Sequence, residues 1–149
     1  MATTTLPYFY ETEVEWKEQR RGGLESPGLA PLQVASPPEF QGHEGVWTPE
    51  HYFVAAVNSC FMTTFLAIAE ASKLDFVSFD CKAVGKLEKV EGAGFQITEV
   101  VIKPKLVVRH VKDLDRAQRV LEKAEKNCLI SNPDYAPNGL IATEPERRD

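Results

Sequence analysis

Hydrophobic and polar positions alternate at both ends of this chain and run together in its middle, and that contrast sets the element order. Tyr8, Tyr10, Val14 and Trp16 share one parity, while Glu11, Glu13, Glu15 and Lys17 take the other, which predicts a half-buried strand. Arg20-Arg21-Gly22-Gly23 predicts the turn that follows, and Leu32-Gln33-Val34-Ala35 a short second strand. Residues 39–47 have no period and read as a loop. Thr48-Pro49-Glu50 is a helix start, with a capping hydroxyl, a proline at the first helical position and a carboxylate at the positive end of the dipole. The helix should run to about Ser72. Its middle, Tyr52 to Phe61, is apolar nearly all round, so it must be covered on every side, and it is a candidate subunit interface.

Alternation returns after the helix. Val77, Phe79, Cys81, Ala83 and Leu87 are set against Ser78, Asp80, Lys82, Lys86 and Glu88. A turn at Val90–Gly94 leads into a second long strand, Phe95 to Arg109. Its apolar parity shifts from Phe95 and Ile97 to Val100, Ile102, Leu106 and Val108, which predicts a bulge near Glu99. A last helix, from about Asp113 to Cys128, puts Ala117, Val120, Leu121, Ala124 and Cys128 on one stripe. Asn132-Pro133-Asp134-Tyr135 reads as loop, Gly139-Leu140-Ile141-Ala142 as a short strand, and residues 144–149 as a charged tail. No internal repeat or linker divides the chain, so residues 1–149 are expected to form a single α+β domain.

Composition narrows the function. A net charge of -5, with basic residues scattered among acids, gives no footprint for nucleic acid. The first residues lack the basic flank and apolar core of a secretory signal. Residues 52–71 approach a membrane span in length, but Asn58, Ser59, Thr63, Thr64 and Glu70 interrupt them, so a buried helix is expected rather than a span. Three cysteines without a signal point to a reducing, cytoplasmic setting where thiols serve chemistry or packing. His43, His51 and His110 have no metal-ligand spacing with each other or with a cysteine pair. A hydrolase would need a histidine beside Cys60, and His51 lies nine positions away.

That leaves the thiols. Cys60 lies within the central helix and Cys128 closes the last one. Such a pair can react in sequence, the first thiol attacking an oxidant and the second resolving the product as a disulfide. Taken alone, Cys60 is a small core hydrophobe, Cys128 a residue of an apolar stripe, and Glu50 a dipole-stabilising acid. The inward parity of Cys81 assigns it to packing.

The strand order, the Thr-Pro-Glu helix start, a cysteine ten positions after Glu50 and the Cys-Leu-Ile-Ser-Asn run at 128–132 together resemble the OsmC/Ohr family. The resemblance spans Tyr8 to Asn132 and is most specific at 49–61 and 124–132. It implies antiparallel strands wrapped around a central helix in an intertwined homodimer. It also implies a cysteine-based peroxidase that reduces organic hydroperoxides and, in some members, hydrogen peroxide. No metal or organic cofactor is required, and a dithiol reductant reopens the disulfide. Cys60 matches the peroxidatic cysteine and Cys128 the resolving one. Arg20, with Arg21 in reserve, matches the arginine that stabilises the thiolate against burial, and Glu50 the carboxylate that orients that arginine. Members often carry Cys-Pro where this chain has Cys128-Leu129, which leaves the subgroup and its substrate open. Phe53, Phe61 and Phe65 could line an apolar mouth or serve the core. The alternative to catalysis is a member that binds a small apolar ligand or senses oxidants. Glu50 and Cys60 are about 15 Å apart along one straight helix. Two central helices crossing antiparallel near Ala55 would instead bring Glu50 of one subunit level with Cys60 of the other.

Overall fold

A computed structural model describes residues 6–128, together with the backbone of 134–135 and 139–142. The chain divides into two compact units, residues 1–52 and 53–149.

The first unit is a three-stranded antiparallel sheet of β1 (Glu13–Glu18), β2 (Arg21–Glu25) and β3 (Leu32–Ala35), in that order. Every residue of β1 is exposed. The turn lies one step earlier than Arg20–Gly23: it is made at Gln19 and Arg20, with Gln19 at a positive φ. Gly22 and Gly23 are instead strand residues opposite Trp16 and Glu15. Close approach explains the glycine at 22, where a Cβ would stand 2.6 Å from the carbonyl oxygen of Glu15. The aperiodic stretch after β3 contains one 3-10 turn, Pro38–Phe40.

The helix α1 (Pro49–Ala71) begins in the first unit and starts where Thr48-Pro49-Glu50 predicts. The Thr48 hydroxyl oxygen accepts the backbone N–H of His51 at 3.1 Å, satisfying one of the donors a helix start leaves open. Its hydroxyl proton remains for His51 Nδ1, 2.8 Å away. The helix is long and apolar enough to cross a membrane by length and composition. Within its own chain, however, it packs a stripe of Val57, Phe61, Phe65 and Ala69 into the core.

In the second unit that stripe lies on a long antiparallel hairpin, β4 (Phe76–Val90) and β5 (Gly94–Val108). Val100, Ile102, Pro104, Leu106 and Val108 form the buried parity of β5. The expected bulge is present: Lys86 faces Glu99 and Leu87 faces Ile97, leaving Thr98 as the extra residue, its hydroxyl donating to Glu88. A second irregularity, between Phe76 and Ser78, overturns part of the expected pattern on β4. Val77 turns outward at 49% exposure, and Phe76 packs against the core in its place. Phe79 stacks on Phe65 at 4.5 Å between ring centroids, and Phe76 meets the same ring edge-on at 5.3 Å.

The helix α2 (Leu114–Lys126) contributes Ala117, Val120, Leu121 and Ala124 to the same core. It begins after a 3-10 turn at Val111–Asp113 and ends two residues before Cys128, so that thiol lies beyond the helix. Beyond α2 the chain returns to the sheet, with β6 (Asp134–Tyr135) and β7 (Gly139–Ala142) both parallel to β5. The loop expected at 132–135 thus ends in a two-residue strand, while 132–133 and the tail at 144–149 lie outside the described residues.

Candidate active site

Cys60 is half-buried near the middle of α1. At 3.6 residues per turn, positions 53, 56, 60, 64 and 67 form a stripe on the flank of the buried one. Its residues are Phe53, Ala56, Cys60, Thr64 and Ala67, and Phe53 is 45% exposed. The carbonyl of Cys60 accepts the Thr63 hydroxyl at 3.1 Å. Of the three phenylalanines considered for an apolar mouth, Phe61 and Phe65 are fully buried and belong to the core, which leaves Phe53. The opposite flank of the helix holds exposed Met62 and Leu66, so the chain covers one side of α1 by itself.

Cys128 is half-buried just past Asn127, which ends α2 by returning its backbone and side-chain N–H groups to the Lys123 carbonyl at 3.1 and 2.8 Å. Cys60, Cys81 and Cys128 form no disulfide among the described residues. Cys81 faces inward on β4, as its parity predicted, and its thiol is pushed up to about 11 by burial, partly offset by a hydrogen bond to the Lys103 backbone. It is therefore a poor nucleophile at neutral pH.

Arg20 and Glu50 belong to the first unit. The Arg20 guanidinium is exposed and donates to the Phe40 carbonyl at 3.3 Å. Arg21 donates to Gln33 Oε1 at 3.4 Å and pairs with Glu18 at 3.6 Å. Neither is joined to Glu50, whose buried Oε1 has no hydrogen-bond partner among the described residues. A buried acceptor in that state costs about 1–3 kcal/mol, more when it is charged, until a donor reaches it.

Sequence reasoning overlooked Asn58 as anything but a polar interruption. Its amide donates to the Cys81 carbonyl at 3.1 Å and fastens α1 to β4 two residues before Cys60, while its buried Oδ1 has no partner among the described residues. A polar residue inside the longest apolar run was the available signal. Among the described residues no cluster of His, Cys, Asp or Glu could hold a metal ion.

The family model for OsmC-like proteins matches residues 42–133, a span that includes Glu50, Cys60 and Cys128 but not Arg20. The chain belongs to the OsmC-like family. It is 26% identical over 129 residues to the uncharacterized protein YmaD of Bacillus subtilis, covering 83% of this chain and 84% of that one. An OsmC-like protein of unknown function from Vibrio cholerae superposes with a TM-score of 0.77 at 24% identity, covering 91% of this chain and 99% of the other. An organic hydroperoxide resistance protein from Elizabethkingia anophelis, solved with thiocyanate bound, gives 0.69 at 20% identity, covering 96% and 100%. The fold is the α+β OsmC-like fold.

Proposed function

We propose that this protein is a cysteine-based peroxidase for organic hydroperoxides, working as a cytoplasmic homodimer. The observation that carries the reading is the family match across Glu50, Cys60 and Cys128, with Cys60 on the flank of the core helix rather than inside the core. Relatives of the same fold named for organic hydroperoxide resistance support the substrate class.

The Cys60 thiolate attacks the distal peroxide oxygen and the O–O bond breaks. With one proton taken up, the alcohol leaves and Cys60 becomes a sulfenic acid. Condensation with the Cys128 thiol forms a disulfide and releases water. A dithiol reductant then returns both thiols. Arg20 supplies the positive charge that favours the thiolate, and Glu50 holds that guanidinium. The unsatisfied Glu50 oxygen supports a composite site in which the carboxylate serves across the subunit interface.

Stopped-flow mixing of the reduced protein with an alkyl hydroperoxide tests this. One equivalent should be consumed per chain, the Cys60→Ser variant should consume none, and peptide mapping should recover a Cys60–Cys128 disulfide. Hydroperoxide that is bound but not reduced would instead establish a ligand-binding or sensing member. A bridge containing Cys81 would refute the assignment of the resolving thiol.

A further inference from the structure

An arginine fastens the end of α1 to the start of α2. Arg116 sits in the first turn of α2, and its Nη1 donates to the Ser72 carbonyl at 3.1 Å and to the Lys73 carbonyl at 3.2 Å. Those carbonyls follow Ala71, the last residue of α1, where the chain leaves the helix with Lys73 at a positive φ. A guanidinium there meets both the negative end of the helix dipole and the carbonyls that a helix end leaves open. Its Nη2 lies 3.3 Å from Oδ1 of Asp113, which is 5% exposed. A buried carboxylate on a planar guanidinium fixes the direction of the fork.

The fastening sets how far α2 stands along α1, because the two helices run antiparallel. Going back along α1 from Phe65 through Asn58 to Val54, the partners on β4 advance from Phe76 and Phe79 through Cys81 to Gly85. Hence α1 opposes β4 and runs with β5. The helix α2 leaves the end of β5 and leads back to β6 and β7, which are parallel to β5, so it opposes β5 and α1. Both helices bury side chains in one core. Cys60 lies twelve residues before Ser72, and Cys128 lies twelve after Arg116. Two arms of equal length, each about 18 Å at helical rise, thus fold back from one pin and bring the thiols level. Asn58 reaches β4, and Cys60 projects about 200° around the axis from it, toward the side where α2 covers β5 and β7.

We propose that Arg116 is a positioning residue for the resolving step, fixing the register of α2 on α1 so that the Cys128 thiol stands level with Cys60. This role rests on the peroxidase reading and belongs to its second half, the closure of the disulfide. A slip of one helical residue displaces a thiol by about 1.5 Å and a full turn by about 5.4 Å, against the Cα separation of roughly 4.4–6.8 Å that a disulfide requires. The attack of Cys60 on peroxide does not involve Cys128, so Arg116 leaves that first step unchanged.

Rapid mixing of the full-length chain with an alkyl hydroperoxide separates the two steps, with circular dichroism to establish that each variant is folded. Arg116→Met keeps the apolar stem and removes the fork. It should consume the first equivalent within about two-fold of the wild-type rate, yet form the Cys60–Cys128 disulfide about ten-fold more slowly or worse. The Cys60 sulfenic acid should then persist long enough to be trapped by dimedone. Asp113→Asn, which keeps the fork but removes the charge that directs it, should shift closure in the same direction and decides the matter if Arg116→Met does not fold. Diamide, which takes two electrons and two protons from a thiol pair, closes the same bond without peroxide and should show the same slowing. Closure at the wild-type rate in the folded variants, or equal slowing of both steps, would overturn the role. So would a wild-type chain that forms no Cys60–Cys128 bond with either oxidant. A wild-type chain that closes the bond with diamide but consumes no hydroperoxide would refute the peroxidase reading alone, and the diamide rates of the variants would then decide the role of Arg116.

Discussion

Gly85→Ala is the sharpest test of how α1 is seated. A Cβ at this position would stand 2.5 Å from Val54 Cγ2 and 3.8 Å from Ile97 Cγ2. Ordinary carbon contacts begin near about 3.5 Å, so the helix and strand must part by about 1 Å, or Val54 must leave its rotamer. A β-branched side chain in a helix has one strongly preferred χ1, which closes the easier route. Overpacking of this kind costs about 1–3 kcal/mol, and replacing a strand glycine returns about 0.5–1 kcal/mol of it. At mid-range the expected net loss is about 1 kcal/mol, read as a lower urea midpoint with an unchanged slope. Protein concentration must be held fixed, since association shifts apparent stability. Val54→Ala opens the space, so the double variant should lose less than the sum of the singles by about 1 kcal/mol. An unchanged midpoint for Gly85→Ala, or strictly additive losses, would refute this packing.

Four further outcomes are expected. Thr48→Ala removes the hydroxyl that accepts the His51 N–H and should cost about 1 kcal/mol in thermal or urea unfolding, with Thr48→Ser retaining most of it. Cys81, with its thiol near 11, should alkylate last at pH 8, with a thiolate fraction on the order of 0.1%. Because its folded value lies above the unfolded one, its stabilising contribution is complete below about pH 9 and declines as pH rises toward 11, which alkaline unfolding curves for Cys81→Ala against wild type would reveal. Arg20→Ala should raise the Cys60 pKa and slow peroxide consumption far more than Arg21→Ala, as measured by the pH dependence of alkylation; equal, mild effects would exclude both arginines from the site.

The long elements were legible because their signals are local. Thr48-Pro49-Glu50 located the start of α1, Gly139–Ala142 emerged as a strand, and the parity shift before Val100 predicted a bulge near Glu99, which is found one residue away at Thr98. Features set by a partner element were not. The outward turn of Val77 arises from a register shift against β5, which the sequence of β4 alone does not encode. The assignment of Phe61 and Phe65 to the core depends on which side of an apolar helix meets the hairpin, and hydrophobic content gives no direction there. In the candidate site, the helical position of Cys60 could be read from motif and spacing, whereas Cys128, expected to close the last helix, lies two residues past its end and was not placed correctly. The lone Glu50 oxygen and the hold of Asn58 on β4 could not, because each follows from three-dimensional contacts or their lack.

The return of β6 and β7 to β5 has a consequence for the order of assembly. The two arms of the hairpin are adjacent in sequence and can zip from their turn, whereas β7 must close a loop from residue 139 back to 105. Loops of that length close late and open early, so the parallel strands should exchange their amide hydrogens before the hairpin does. Cys128 lies on the segment that leads into them, downstream of α2 and upstream of β6. A bond from that thiol to α1 would shorten the loop that must close. Oxidation would then act as a basting stitch, holding the last-sewn edge of the sheet until reduction releases it.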